Sequence, residues 1–256
     1  MSNDDYTLAE LCITASAEVW RDDGEVLATG IGVIPRLAAS LAKASFNQDL
    51  MMTDGEAYLV TEPVPPGPRN GYEIQVEAWM PYRRVFENLW SGKRHAMVGP
   101  TQIDRYGQAN ISCIGDYASP KAMLLGVRGF PGNTIHHPNS FFIPNHGVRV
   151  FVEKCDMVSS VGNDPAAWGP GMRRDFVDLR RVVSNLGVFD FQGPDGSMRL
   201  ISVHPESSVD EVRENTGFEL TVADDCGVTA VPTSDQLQLI RETLDPNNQR
   251  ANVFPS

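Results

Sequence analysis

The chain has 256 residues, 41% of them apolar, enough to bury the core of one α/β domain or of two small ones. It carries 33 acidic and 21 basic residues, and this net charge of −12 repels the phosphate backbone of nucleic acids. The composition therefore excludes a disordered chain and argues against DNA or RNA as a partner.

The cysteines and the apolar runs indicate the compartment. Cys12, Cys113, Cys155 and Cys226 lie far apart and form no CxxC pair, so neither a zinc site nor a disulfide framework is predicted. No apolar run approaches the length of a membrane span, and the N-terminus is acidic where a secretory signal would be basic. We therefore expect a cytoplasmic protein with no membrane partner.

The N-terminal third alternates between helices and strands. Thr7 and Glu10 have the spacing of a capping box and precede a helical stripe of apolar residues. The segment "GEVLATGIGVIP" predicts a strand that enters a glycine turn, with Pro35 in the first turn of the next helix. "QDLMMT" then predicts a buried strand. Strand, turn, helix and strand make a βαβ unit, which implies a parallel sheet.

The rest of the chain continues the alternation. "TEPVPPGPRNG" predicts an exposed loop, "PYRRVFENLWSGK" a helix with Val85, Phe86 and Leu89 on one side, and "RHAMVGP" a strand. Further strands are predicted at "ANISCIG", "AMLLGV", "SFFIP", "VRVFVEKCDMV", "MRLISV" and "FELTV", and helices at "SSVDEVRENT" and "SDQLQLIRETL". In "VRVFVEKCDMV" we expect Val148, Val150 and Val152 to share a face. The inventory predicts one α/β domain over residues 1–256, with an open, mostly parallel sheet flanked by helices.

The first glycine turn is a candidate anion site. Gly30 and Gly32 stand before a helix N-terminus, where bare backbone amides can approach an oxyanion or a phosphate. The turn lacks the third glycine of a dinucleotide fingerprint and the lysine of a phosphate-binding loop, which argues against NAD and ATP. The alternative is a plain strand-to-helix turn.

Two later segments carry polar side chains. Gln102 and Asp104 follow a strand, where ligands sit in open α/β sheets, although Asp104 could equally form a structural ion pair with Arg105. A second glycine loop, "LLGVRGFPGNTIHHPNS", holds Arg128, a donor fork for a carboxylate or phosphate. His136 and His137 would point in opposite directions on an extended segment, so no metal site is predicted. Either could carry a proton or be a hydrogen-bonded bystander.

The order of these motifs resembles a known family. "GIGVIPRLAASLAKASFNQDLMMTDG", "VGPTQIDRYGQANIS", the glycine loop after "AMLLG", "VRVFVEKCDMVSSVG" and "VPTSDQLQLIRETLDP" together are similar to the beta subunits of class I CoA-transferases, of the glutaconate CoA-transferase type. The resemblance runs from about residue 8 to residue 246. It implies an alpha subunit of similar fold and an acyl-CoA bound at the interface between the two subunits.

One feature departs from the transferase pattern. In those enzymes a glutamate two residues before the glycine attacks the thioester, and alignment on Gly55 places Thr53 at that position. A threonine hydroxyl with no adjacent base is a poor substitute for a carboxylate nucleophile. Shifting the register to use Asp54 would lose the glycine match, and Glu56 lies beyond the glycine. We therefore predict that this chain does not supply a transferase nucleophile.

A closer resemblance, carried by "MTDGE" and "GVRGFPGNTIHHP", is to the beta subunits of cholesterol ring-cleaving hydrolases of bacterial steroid degradation. It implies an αβ or α2β2 enzyme that hydrolyses a carbon–carbon bond of a cyclohexenone carboxyl-CoA thioester. The catalytic carboxylate would lie on the alpha subunit, with no cofactor beyond the substrate's own CoA. A true acyl-CoA:carboxylate CoA-transferase and a non-catalytic scaffold subunit are the alternatives.

The resemblance also implies roles for residues. The amides of Gly30–Gly32 would stabilise the oxyanion, Arg128 would bind a substrate carboxylate, and Asp54, His136 or His137 would order the water. The predicted catalytic group is Gly30, Gly32, Thr53 and Asp54. The predicted substrate-binding group is Gln102, Asp104, Arg128, Gly129, Gly132, Asn133, His136 and His137.

Overall fold

The computed structural model of the protein describes residues 6–254, which form two compact units. The first unit holds the residues up to 98 and those from 230 onward, and the second unit holds residues 99–229. One domain over residues 1–256 stays a prediction. Among residues 6–254 no helix is both long and apolar enough to cross a membrane.

The first unit begins with the predicted capped helix, α1 (Leu8–Ala17). The Thr7 backbone N–H donates to the Glu10 carboxylate at 2.9 Å, and the Glu10 N–H donates to the Thr7 hydroxyl at 3.3 Å. These two reciprocal bonds satisfy amides that a helix start leaves without partners. The capping-box prediction is confirmed.

The βαβ prediction is confirmed in outline. Strand β1 (Leu27–Gly30) leads through the glycine turn into α2 (Val33–Ser45), with Pro35 in its first turn. Met51 then returns beside β1, forming a parallel bridge to Leu27. The regular strand that follows, β2 (Met52–Thr53), is shorter than predicted and pairs in antiparallel fashion with β3 (Tyr58–Val60), which pairs likewise with β4 (Val76–Trp79).

The predicted helix and strand after the proline segment, residues 61–71, are both present. They are α3 (Tyr82–Ser91) and β5 (Arg94–Val98). β5 lies parallel to β1, from Leu27 opposite Arg94 to Gly30 opposite Met97. Of the three side chains predicted to share the inner side of α3, Leu89 is buried and Val85 and Phe86 are half-buried.

The second unit is a mixed sheet with short accessory hairpins. Its elements are β6 (Gln102–Ile103), β7 (Ala109–Asn110), β8 (Cys113–Ile114), β9 (Ala122–Met123), α4 (Phe130–His136), β10 (Asn139–Ile143), β11 (Leu179–Ser184), β12 (Gly187–Asp190), β13 (Arg199–Val203), α5 (Val209–Glu214) and β14 (Thr221–Val228). β10–β11 and β13–β14 are parallel, and β11–β12 and β12–β13 are antiparallel. β6–β7 and β8–β9 are separate two-stranded pairs, so "ANISCIG" and "AMLLGV" contribute only short strands.

One predicted strand of the second unit is wrong. In "VRVFVEKCDMV" the Gly147 carbonyl accepts from the amides of Val150 and Phe151, which makes a turn. Phe151 is fully buried and stacks on His146 with ring centroids 3.6 Å apart, whereas Val148 is 55% exposed. The predicted valine face is therefore not formed, because the burial of Phe151 decides the backbone path.

The second unit also contains two strands that the sequence did not reveal, β11 and β12. They read "LRRVVS" and "GVFD", and neither shows a clean alternation of apolar and polar residues. β12 is buried along its whole length, and β11 is buried at Leu179 and from Val182 to Ser184. Strands buried on both faces lose the two-residue period on which sequence-based prediction depends.

The C-terminal segment, residues 230–254, returns to the first unit. The predicted helix is α6 (Ser234–Gln238), which continues as a π-helical stretch, Leu239–Leu244. Arg241 and Arg250 of this segment both pair with the fully buried carboxylate of Glu10, at 2.8 Å and 3.1 Å. Burial raises the pKa of Glu10, but the hydrogen bonds and charges of its partners outweigh burial and bring it to about 2. The ionised carboxylate therefore fastens the C-terminal segment to α1.

A substitution at Gly30 tests the packing of the βαβ unit. A Cβ placed on Gly30 would lie 2.2 Å from the carbonyl carbon of Pro35, a backbone atom that cannot move aside cheaply. We expect Gly30→Ala to lower the free energy of unfolding by about 3 kcal/mol, at the upper end of overpacking costs. Chemical denaturation of the purified chain measures it. Gly227→Ala is the control, since its nearest contact would be at 3.9 Å, and equal losses in both variants would contradict the prediction.

Candidate active site

The first glycine turn is set by a close approach of two backbone segments. Gly30 is the last residue of β1, and Gly32 precedes α2 with φ at 109°. The Ile31 N–H, between them, donates to the Met97 carbonyl at 2.9 Å. That amide belongs to the pairing of β1 with β5 and is not available to a ligand. Of the predicted oxyanion donors, the amides of Gly30 and Gly32 remain candidates.

Asp54 occupies the centre of the turn that follows β2. Its Oδ1 accepts from the amides of Glu56, Ala57 and Tyr58 at 2.9, 3.0 and 3.0 Å, and its Oδ2 accepts from Arg69 at 3.2 Å. Only 1% of the side chain is exposed. Burial raises the pKa of Asp54, but the amides and Arg69 together lower it further, so its net pKa is below the ordinary value. The carboxylate is ionised and engaged in shaping the turn.

Thr53, at the position of the transferase glutamate, is the last residue of β2. Its hydroxyl accepts from the Gly55 N–H at 3.3 Å. Gly55 has φ at 92°, a backbone conformation that residues with a Cβ rarely adopt. The partner of the hydroxyl is thus an amide donor, and an amide cannot remove its proton. Nucleophilic attack by a hydroxyl needs an adjacent base.

Two arginines that the sequence did not single out flank this turn. Arg36, in the first turn of α2, donates to the carbonyls of Asp54 at 3.3 Å and Val64 at 3.2 Å. Arg69 donates both to Asp54 and to Glu56. Arg36 thereby brings the glycine turn and the Thr53–Glu56 turn together, and both arginines hold the proline segment against the latter. For Arg69, a basic residue inside a proline-rich loop of an acidic chain was the available signal.

Gln102, in the second unit, lies in a buried hydrogen-bond network. Its Oε1 accepts from the Asn110 side chain at 2.8 Å and from the Asp156 N–H at 3.0 Å, and its Nε2 donates to the Asp156 carboxylate at 3.2 Å. These bonds employ both ends of the amide. The network therefore joins β6, β7 and the segment around residue 156.

Asp104 is buried in a tight turn. Its Oδ1 accepts from the amides of Tyr106 and Gln108, both at 2.9 Å. Burial raises the pKa of Asp104 to about 6 although the two amides oppose it. Arg105 forms its ion pair with Glu153, at 2.8 Å, and the predicted alternative of an Asp104–Arg105 pair is not what the fold selects.

The second glycine loop is partly helical, contrary to the prediction of a loop. Gly129 precedes α4, which contains Gly132 and Asn133 and ends at His136. Arg128 is exposed, with φ at 48°. His136 is therefore not on an extended segment, although His137, just past the helix, is.

The neighbours of α4 distinguish its polar residues. His136 is exposed, whereas His137 is buried with Nδ1 at 2.8 Å from the Pro138 carbonyl. Asn133 is buried, and its carbonyl accepts from the His137 N–H and from the Asn139 side chain. Among residues 6–254 no three His, Cys, Asp or Glu side chains are arranged to hold a metal ion. The structure thus gives Arg128 and His136 the accessibility that ligand contact requires.

Replacing Asp54 tests the turn that Asp54 shapes. We expect Asp54→Asn to lower the free energy of unfolding at pH 7 by about 1.5–3 kcal/mol, as for lost hydrogen bonds to a charged group. Because the pKa of Asp54 is lower in the folded state, the stability it contributes is present above the unfolded pKa of 3.8 and is lost as the pH falls further. Denaturation curves at pH 7 and pH 3 measure both effects.

The control is Glu56→Gln, which changes the other carboxylate of Arg69, one that is 74% exposed. It should cost less than about 1 kcal/mol, as exposed ion pairs do. A loss in Glu56→Gln as large as that in Asp54→Asn would contradict the structural role of Asp54.

The contribution of Asp104 to folding stability has the opposite pH dependence from that of Asp54. Its folded pKa of about 6 lies above the unfolded value of 3.8, so its ionisation destabilises the fold as the pH rises between these values. We compare the free energy of unfolding of Asp104→Asn with that of the native chain at two pH values. We expect this difference to be more favourable to the variant at pH 8 than at pH 3.5, by up to about 3 kcal/mol. Asp116→Asn, an exposed residue with the same bond to the amide two residues on, is the control. An equal change in both variants would refute the prediction.

The comparisons with known proteins cover nearly the whole chain. No model of a known protein family matches the sequence. The chain is 44% identical, over 96% of its length and 95% of the relative's, to the cholesterol ring-cleaving hydrolase IpdB subunit of Rhodococcus jostii (strain RHA1). It is 31% identical to the B subunit of glutaconate CoA-transferase from Acidaminococcus fermentans, over 94% of this chain and 93% of that one.

A solved structure agrees with these relatives. The crystal structure of Rhodococcus jostii RHA1 IpdAB superposes with a TM-score of 0.91 at 42% identity, covering 98% of this chain and 100% of that chain. The predicted α/β fold with a mostly parallel, helix-flanked sheet of the class I CoA-transferase type is confirmed. The chain belongs to the family of cholesterol ring-cleaving hydrolase IpdB subunits, which shares the fold of the CoA-transferase beta subunits.

Proposed function

We propose that this chain is the beta subunit of an αβ or α2β2 hydrolase that opens the last steroid ring in cholesterol catabolism. The substrate is a cyclohexenone carboxylic acid carried as its CoA thioester. The observation that carries the proposal is the Thr53–Glu56 turn, which keeps the transferase glycine but has no available carboxylate at the nucleophile position. Asp54 is committed to three amides and an arginine, and Thr53 to an amide.

Because this chain offers no nucleophile for a covalent intermediate, the proposed reaction is a direct attack by water. A carboxylate of the alpha subunit acts as general base and activates a water, which adds to the ketone carbonyl carbon of the ring to form a tetrahedral adduct. The ring carbon–carbon bond then breaks, and its electron pair is delocalised toward the thioester carbonyl before it takes up a proton. One water is consumed, and the products are a new carboxylic acid and a new C–H bond.

The beta subunit holds the substrate and stabilises the developing charge. The amides of Gly30 and Gly32 stand at the N-terminus of α2, where the helix dipole favours an anion. Arg128 provides an exposed guanidinium for a substrate carboxylate, and His136 is accessible to order water. We also propose a cytoplasmic location and no cofactor other than the CoA of the substrate.

The test is the reaction of the purified subunit pair with the cyclic thioester in water labelled with oxygen-18. We expect ring opening without any acceptor acid, with one labelled oxygen in the new carboxyl group. Borohydride or hydroxylamine should trap no glutamyl thioester on this chain. A requirement for an acceptor acid, or a trapped thioester on this chain, would instead establish a CoA-transferase.

Arg128 provides a prediction on substrate binding. We expect Arg128→Ala to raise KM about tenfold or more with little change in kcat, since a lost charge-assisted bond is worth about 1.5–3 kcal/mol. Arg128→Gly is the matched variant, because glycine accepts the positive φ of this position without strain. Similar KM values in the two variants attribute the effect to the guanidinium, and an unchanged KM in both removes Arg128 from the site.

A further inference from the structure

Helix α3 carries a stripe of aromatic residues that is exposed at both ends and half-buried at its middle member, Phe86. Tyr82, Phe86 and Trp90 recur every four residues and therefore lie along one side of the helix. The rings of Tyr82 and Phe86 meet edge to face with centroids 5.5 Å apart, and those of Phe86 and Trp90 are 6.5 Å apart. Tyr82 is 75% exposed and Trp90 66%. Leu89 is the residue of the helix that is fully buried.

Strand β4, which precedes α3 in the chain, also carries exposed apolar side chains. All four of its residues are exposed, and they include Val76 and Trp79, the latter at 70% exposure. β4 is the outer strand of its three-stranded sheet as the described residues form it. An exposed edge strand beside aromatic side chains is a surface that proteins normally cover. We call Val76, Trp79, Tyr82, Phe86 and Trp90 the aromatic face.

The charges around the aromatic face argue against a second copy of this chain as its occupant. Residues 76–93 carry three basic side chains, Arg83, Arg84 and Lys93, against two acidic ones, Glu77 and Glu87. This segment is thus slightly basic, whereas the whole chain has a net charge of −12. If two copies met here, their slightly basic segments would face each other, and the two acidic chains would repel each other as a whole. A different chain with carboxylates around an apolar patch is complementary.

The aromatic face is also connected through β3 to the Thr53–Glu56 turn. β2 ends at Thr53, Thr53 pairs with Leu59 of β3, and Tyr58 of β3 pairs with Trp79 of β4. Two strand spacings therefore separate the line of Thr53 from that of Trp79, about 10 Å. A subunit docked on the aromatic face stands close enough to this turn to bring a side chain to it.

From these observations we infer that the aromatic face is the docking surface for the alpha subunit, with Trp79 and Trp90 as its anchors. The inference rests on the proposed function, which requires an alpha subunit that supplies a carboxylate. Buried aromatic anchors dominate binding at protein interfaces. The complementary surface on the alpha subunit is apolar and bordered by Asp or Glu.

The experiment measures binding of the full-length chain to the alpha subunit of its own enzyme by biolayer interferometry. We expect Trp79→Glu and Trp90→Glu each to weaken the Kd about 30-fold or more, as anchor residues do. Tyr117→Glu is the control, since Tyr117 is equally exposed, at 65%, but lies in the second unit. Its Kd should stay within about twofold of the native value, as for a residue outside the interface. Thermal denaturation of each variant alone should show an unchanged fold.

The outcomes separate this inference from the proposed function. Native-like Kd values for both tryptophan variants, or no binding by the native chain, overturn the inference. A dimer of the native chain alone that is lost in Trp90→Glu, seen by light scattering, also overturns it in favour of a second copy. If the native pair associates but leaves the cyclic thioester intact, the proposed function fails, and the Kd values still decide the docking surface.

Discussion

Asp54 is a buried carboxylate surrounded by donors, three successive backbone amides and the guanidinium of Arg69. An ionised carboxylate is costly to bury without such partners, and with them it favours one backbone path over others. The path is the turn that joins β2 to β3. The side chain most similar to a catalytic acid in this turn is therefore the one that the fold itself uses, and this leaves the turn with a shape but without a nucleophile.

Glu10 is a second buried carboxylate that holds its surroundings by ion pairs, here the C-terminal segment. It pairs with Arg241 and Arg250, and Asn247, between them, donates to the carbonyls of Pro66 and Pro68. The proline segment is thus held by Arg69 on one side and by the C-terminal segment on the other. Prolines restrict the unfolded chain, and these few bonds are enough to place a loop without regular structure.

The same fold serves transferases and ring-cleaving hydrolases, and a fold does not decide between reactions. What the proposed function requires of this chain is a pocket that accepts a thioester without forming a covalent bond to it. A glutamate at position 53 would compete with water for the acyl group. A threonine held by an amide does not, so the attacking water can be activated from a partner chain.

The sequence by itself determined the elements that local interactions stabilise. The capping box of Thr7 and Glu10, Pro35 in the first turn of α2 and the glycine at position 30 each act within a few residues, so their pattern is visible in the chain. The ordered series of motifs likewise identified the family, and alignment on Gly55 showed that a threonine replaces the nucleophile. Each of these conclusions depends on neighbours in sequence.

Only the tertiary structure decided the features that depend on distant partners. β11 and β12 are buried strands without alternation, and Phe151 turns its segment inward to stack on His146, a choice made by packing and not by the period of the valines. Arg69 meets Asp54 across fifteen residues, and Arg250 meets Glu10 across the length of the chain. Because burial and ion pairing are set by what surrounds a side chain in space, the sequence showed which groups could carry charge, and the fold chose their partners.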